Sequence, residues 1–381
     1  MLGALGLLMV VLVAITISNG VHYNYHDYYD DNSFIEAWQN HGVLGGTLYL
    51  FNNCNGRFVS HLLASALLPI ITSSQLLQTG FYVLNVILFT IAISWFLKRF
   101  FLYRYAVELS SWQALVAGSL FYSLFFFFFF AKRFEFWYWL ADVFIYEYSL
   151  ILILILNAIL LRKKGVQKLG LVVAGASLCI GFMSETQAIA QLIVLGFMIF
   201  EDKKLRQGIT VQARWKIVSA SLIIVALTTN YLSPGNLHKI KISKTHVEGT
   251  GNYIQGLTIF VKDVVLRWDC ITIDSFGAYR LNSLFIQIAC AALLFLFLRL
   301  LTPYWFGDRK PMVQDKSIFG LLSIAVIILV ITYLLPAVLY ANVLGFVVDR
   351  CKLIGCFFMF LALFDVMVML TGIAKGQNKQ V

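Results

Sequence analysis

The sequence predicts an all-α, polytopic membrane bundle of about ten spans, with small polar loops and amphipathic helices on its outer face. Three observations predict it. Of the 381 residues 60% are hydrophobic and only 13% charged, for a mean hydropathy of +0.82. Apolar runs of span length recur from one end to the other, and the polar segments between them alternate in charge. A soluble domain cannot hide so much apolar surface, whereas lipid solvates it. Backbone polar groups inside lipid must be satisfied within the span, so each run reads as a helix.

Spans are expected near 2–19, 81–97, 112–130, 147–161, 169–183, 186–200, 215–231, 283–300, 317–335 and 353–372. The first, "LGALGLLMVVLVAITIS", lacks a basic start and a small-residue cleavage site and reads as a retained span, a signal peptide being the other reading. One set of connections, "KRFFLYR", "LRKKGVQK", "EDKKLRQ" with "ARWK", "DRK" and the "KGQNK" tail, holds most of the 29 Lys and Arg and few of the 19 acids. The positive-inside rule places that set, and both termini, in the cytoplasm. Segment 58–78 is apolar enough to span, but counting it would put "KRFFLYR" outside. It is expected to be a surface or re-entrant helix interrupted at Pro69.

Residues 1–381 then form a single membrane domain, in which 20–80, 131–148 and 233–280 face outward as a small cap. The net charge of +10 follows the membrane topology and does not call for nucleic acid. The six cysteines lack C-x-x-C spacing, which argues against a structural zinc site.

The acidic opening loop, "HDYYDDNSFIEAWQNHGVLGGTLYLFNNCNGRF", is where chemistry is expected first. Asp27, Asp30 and Asp31 follow the first span closely, and a carboxylate held there can take a proton from an attacking hydroxyl. The plainer reading is a solvated loop in which Asp31 or Asn32 caps a helix over "NSFIEAW". Arg57, which closes the loop, can hold a phosphate by its planar fork, or can pair with a loop carboxylate. In "KRFEFWYWLAD", Glu135 and Asp142 share a surface with Trp137, Tyr138 and Trp139, rings that stack on sugars or form an interface belt. Glu185 sits at a turn between two short spans, as a helix cap with Ser184 or as a site acid. "SPGN" ends the seventh span at Asn236, and Lys239 follows. Lys239 and Arg350 suit either lipid headgroups or a captured lipid phosphate. Asp365 lies inside the tenth span with no other ionisable residue expected at its depth.

The ordered set of "DD" at 30–31, "NGRF" at 55–58, "WYWLAD", "SET" at 184–186 and "SPGN" at 233–236 resembles bacterial GtrII-type glucosyltransferases of the GT-C superfamily. That resemblance implies Asp30 or Asp31 as catalytic base or positioning acid, and Asp142 or Glu135 as a second acid. It also implies a polyprenyl-phosphate-linked sugar as donor. The chain departs from the pattern in its small cap and in having no large C-terminal soluble domain. The expected activity is inverting transfer of that sugar to an outer-face glycan or lipid acceptor, in a bacterial inner membrane. Arg57, Glu185, Trp137, Trp139, Asn236, Lys239 and Arg350 would bind substrate. Mg²⁺ or Mn²⁺ could join the acids, although no ligand spacing demands either. Polymerase or ligase activity on the same substrates, and transport of a lipid-linked sugar without chemistry, are the rival expectations.

Overall fold

The computed structural model describes residues 2–22, 29–128, 140–162, 165–205, 211–238 and 353–377, together with Leu296, Arg299, Ile327 and Ile328. All elements among them are helices: α1 (Leu2–His22), α2 (Tyr29–Asn53), α3 (Phe58–Ile71), α4 (Gln75–Tyr105) and α5 (Ser111–Phe128), then α6 (Leu140–Leu160), α7 (Gly170–Met183), α8 (Glu185–Leu205), α9 (Val211–Tyr231) and α10 (Leu353–Gln377). By length and hydropathy α4, α6 and the stretch Val166–Met183 that contains α7 can each cross a membrane. The apolar runs expected up to residue 231, and the last at 353–372, each overlap one of these helices, although among the described residues only those three reach span length and hydropathy. Those at 283–300 and 317–335, and the basic and amphipathic stretch after Lys239, fall almost wholly outside the described residues.

Segment 58–78 is not one continuous helix. α3 ends at Ile71, and α4 starts afresh after Ser74, whose hydroxyl accepts from Leu77 N–H. Fourteen residues of α3 reach about 21 Å, short of the roughly 30 Å hydrocarbon core. Pro69 lies inside α3 without ending it. The opening segment is also more ordered than a loop. α2 runs from Tyr29 to Asn53 with one break at Gly42, whose φ of 69° a side chain would disfavour. α2 and α3 fold back on each other as a hairpin closed by residues 54–57.

Local chemistry sets the other ends. α4 stops where Ala106 takes the left-handed conformation and returns its N–H to Phe101 O. Ser110 and Gln113 then form a capping box for α5: Gln113 N–H donates to Ser110 Oγ and Ser110 N–H to Gln113 Oε1.

α4 packs against α1, α5 and α6, while α7 and α9 form a second close pair beside α6 and α8. Phe89 stacks on Tyr122 across α4 and α5, and Phe121 of α5 sits among Phe357, Phe360 and Phe364 of α10. In lipid such contacts hold by dispersion, because hydrocarbon surrounds the free helix as well. Polar pairs fix the register. Asn157 and Gln191 exchange two amide hydrogen bonds between α6 and α8, and Ser177 meets Ser219 between α7 and α9.

Asp365 corrects an expectation. Arg104 at the end of α4 donates to it through Nε and Nη2, and Tyr105 donates through its hydroxyl. A charged partner does exist at matching depth, because α4 extends past the expected limit at residue 97 and carries Arg104 into the bundle.

Candidate functional site

The motifs separated in sequence meet at one end of the bundle. Asn55 Oδ1 accepts from Arg57 N–H, shaping the turn that starts α3. Arg57 then reaches the first residue of α8. Its Nε and Nη2 both lie 2.9 Å from Glu185 Oε2, with each side chain about a fifth exposed. The acid it pairs with comes from "SET", not from the opening loop. The guanidinium also lies over the Tyr146 ring, 5.9 Å from its centre, within cation–π range.

"SPGN" closes on "NGRF" from the other side. Asn236 Nδ2 donates to Asn230 O, and Asn236 N–H to Ser233 Oγ, so Asn236 holds its own turn together. Asn230 Nδ2 in turn donates to Gly181 O. The two turns touch backbone to backbone. A Cβ on Gly56 would strike Asn230 O, and one on Gly235 would come within 2.8 Å of Asn55 N and Phe51 O. Glycine is required there for close approach.

α6 supplies the floor. Asp31, fully buried on α2, accepts from Ala141 N–H at 2.8 Å and so caps the start of this other helix. Asp142, expected in an aromatic loop, is the next residue of α6 and is buried as well. The two acids expected to share a site are therefore brought to one helix end, about 6 Å along α6 from Tyr146. Both are built into the packing instead of presented to solvent.

Between them α6 makes a π-helical turn over Val143–Glu147. Tyr148 N–H bonds to Val143 O, five residues back, bypassing Phe144 O. Ser60 Oγ of α3 donates to Phe144 O and also to Met183 O. Gln187 Nε2 of α8 donates to Tyr146 O at 2.8 Å. Irregular backbone is thus stitched to α3, α7 and α8 directly beneath the Arg57–Glu185 pair. His61 Nε2 engages Asn55 O at 3.1 Å, and the ring tilts against Phe34.

Of the residues expected from sequence, Asp31, Arg57, Asp142, Glu185 and Asn236 are gathered here. Asp30 lies on the first turn of α2 beside Asp31. Glu135, Trp137, Trp139, Lys239 and Arg350 lie outside the described residues, as does Asp27. Among the described residues no three of His, Cys, Asp and Glu gather as metal ligands, so an expected Mg²⁺ or Mn²⁺ gains no donor set from them. Sequence reasoning missed Tyr146, Glu147, His61, Gln187 and Asn230. The signal for Glu147 was available: it is a lone acid after "VFIY" and ahead of the unbroken "LILILIL".

Comparison with known proteins returned no matching family model, no matching curated protein and no matching solved structure.

Proposed function

We propose that this protein is a membrane glycosyltransferase that moves a sugar from a polyprenyl-phosphate-linked donor to an outer-face glycan or lipid acceptor. The observation that carries the reading is the convergence of "NGRF", "SET", "SPGN" and the start of α6 on the Arg57–Glu185 pair. A guanidinium poised at the bundle end over an aromatic ring, partly exposed, suits an anionic headgroup entering from lipid. Around it the wider architecture is a GT-C-like bundle of about ten spans, with both termini cytoplasmic in a bacterial inner membrane.

In the reaction the acceptor hydroxyl oxygen attacks the anomeric carbon as the bond from that carbon to the donor phosphate breaks. The hydroxyl proton passes to a carboxylate, and the phosphate leaves with the bonding pair, its charge met by Arg57. Asp31 is committed to Ala141 N–H, so Asp30 is assigned as the base and Asp31 as the residue that seats its turn against α6. Glu135, Trp137, Trp139, Lys239 and Arg350 keep their expected roles as second acid, sugar platform and phosphate contacts.

The test is sugar transfer from a polyprenyl-phosphate donor by purified protein in nanodiscs. Asp30→Asn should lower turnover by about 10²–10⁴-fold with donor binding intact. Wild-type turnover in that variant would remove Asp30 from the chemistry. Transport of a lipid-linked sugar without chemistry is the second reading, favoured by one observation, a carboxyl buried inside α6 at Glu147. Movement of labelled donor across vesicles with no transferred product would establish it.

A further inference from the structure

Glu147 closes the π-helical turn of α6 and is almost fully buried, and neither of its carboxyl oxygens has a hydrogen-bond partner. It borders a small cavity between α1, α4, α5 and α6, lined among the described residues by Thr16, Tyr82, Asn85 and Tyr122 as well. About 10 Å³ of that cavity admits the centre of a water molecule, room for one water-sized occupant. Asn85 contributes a second unsatisfied group. Its Oδ1 accepts from Tyr148 O–H at 3.0 Å, while its Nδ2 has no acceptor.

A water in the cavity could satisfy Asn85 Nδ2 and one Glu147 oxygen, but it would leave the charge of a carboxylate uncompensated. A buried carboxylate with neither counter-charge nor hydrogen bonds costs many kcal/mol, far more than an orphaned amide N–H. No Lys, Arg or His lines the cavity among the described residues. The nearest fixed charges along α6 are Asp142, an acid, and Arg57 above Tyr146, which is already paired with Glu185. Among the described residues nothing supplies the compensating charge, so a cation or proton from solution is the candidate to supply it. The space is small enough for one ion or water, and oxygen-bearing side chains, Glu147, Thr16, Tyr82, Tyr122 and Asn85, are among its lining residues, with Val86 and Phe126.

We infer that Glu147 and the cavity beside it form an exchangeable monovalent-cation site, taking Na⁺ or a proton. The inference is independent of sugar transfer, because it rests on the cavity and not on the Arg57 cluster. The titratable groups on the elements packed against this turn are Tyr82 of α4, Tyr122 of α5, His61 of α3 and Cys179 of α7, with Tyr148 adjacent on α6.

The test is modification of the wild-type protein in nanodiscs by a hydrophobic carbodiimide, which attacks protonated carboxyls within membranes, with peptide mapping by mass spectrometry. Glu147 should be labelled, and Glu147→Gln should remove that adduct. If the cation is Na⁺, labelling at fixed pH and ionic strength falls about tenfold when Na⁺ at ten times its Kd replaces choline. If it is a proton, Na⁺ has no effect and labelling falls about tenfold per pH unit above a midpoint within the accessible range. Labelling that is indifferent to Na⁺ and to pH means a permanently neutral structural acid and overturns the inference. An unmodified Glu147 peptide under all conditions means a sealed carboxyl that exchanges nothing, and overturns it equally.

Discussion

Arg57 meets Glu185 through two nitrogens on a single oxygen, a geometry that lysine's point charge cannot reproduce. Arg57→Lys is therefore expected to reduce kcat/KM for the lipid-linked donor by at least about tenfold while the melting temperature moves less than in Arg57→Ala, since lysine keeps the positive charge beside the largely buried Glu185. Glu185→Gln should reproduce part of that loss, and a double-mutant cycle on turnover should show the two residues coupled. Asp31 separates from Asp30 by another measurement. Asp31→Ala removes the acceptor for Ala141 N–H and should cost about 0.5–2 kcal/mol in unfolding experiments, whereas Asp31→Asn keeps an acceptor and should cost less. The residue types of this site were legible in the sequence: "NGRF", "SET" and "SPGN" announced turns with chemistry at their ends. Their partners were not. Nothing in the spacing of Arg57 and Glu185, or of Asp31 and Ala141, reveals that they touch, because helix packing alone brings them together.

Helix α4 joins α10 through Arg104, Tyr105 and Asp365, all nearly inaccessible. Removing one charge of a buried pair strands the other, so Arg104→Leu should cost about 3–5 kcal/mol in thermal or denaturant unfolding. Arg104→Leu combined with Asp365→Leu should recover most of it, since two apolar side chains of similar volume need no compensation. A double variant no more stable than the single would mean that the acid has other essential partners. The apolar helices could be read from their runs, whereas α2, expected as part of a loop, and the ends of the other helices could not. α4 extends beyond its apolar centre at both ends because Ser74 caps its start and Ala106 stops its end. α6 begins by Leu140, ahead of the expected start at 147, because Asp142 and Glu147 made buried helix look like polar loop.

Over the whole molecule, the charge alternation of the loops makes a topological prediction that the packing of helices does not by itself test. Single cysteines near Asn32, Trp139 and His246, in a cysteine-free background, should react with an impermeant reagent added outside sealed cells. Those near Lys164 and Lys204 should be protected. Reaction of both protected positions from outside would invert the proposed arrangement and move the Arg57 cluster to the cytoplasmic face. At this scale composition was the strongest guide. A chain this apolar has few architectures open to it, and among the described residues the structure is all helix, with three helical stretches long and apolar enough to cross a membrane.

The π-helical turn in α6 has a consequence for descent as well as for structure. A helix with five residues where four would serve carries one amino acid more than its regular counterpart, and each residue beyond that point is rotated by about 100°. Upstream of the turn α6 answers to Asp31; downstream, Tyr148 answers to Asn85 and Asn157 to Gln191. Excising one residue from 143–147 would swing those two halves out of phase, so a simple deletion should be far more damaging than any single substitution in the same stretch. Kin that lack the extra residue are therefore expected to lack an acid at the position of Glu147 as well, which an alignment of homologous sequences would check.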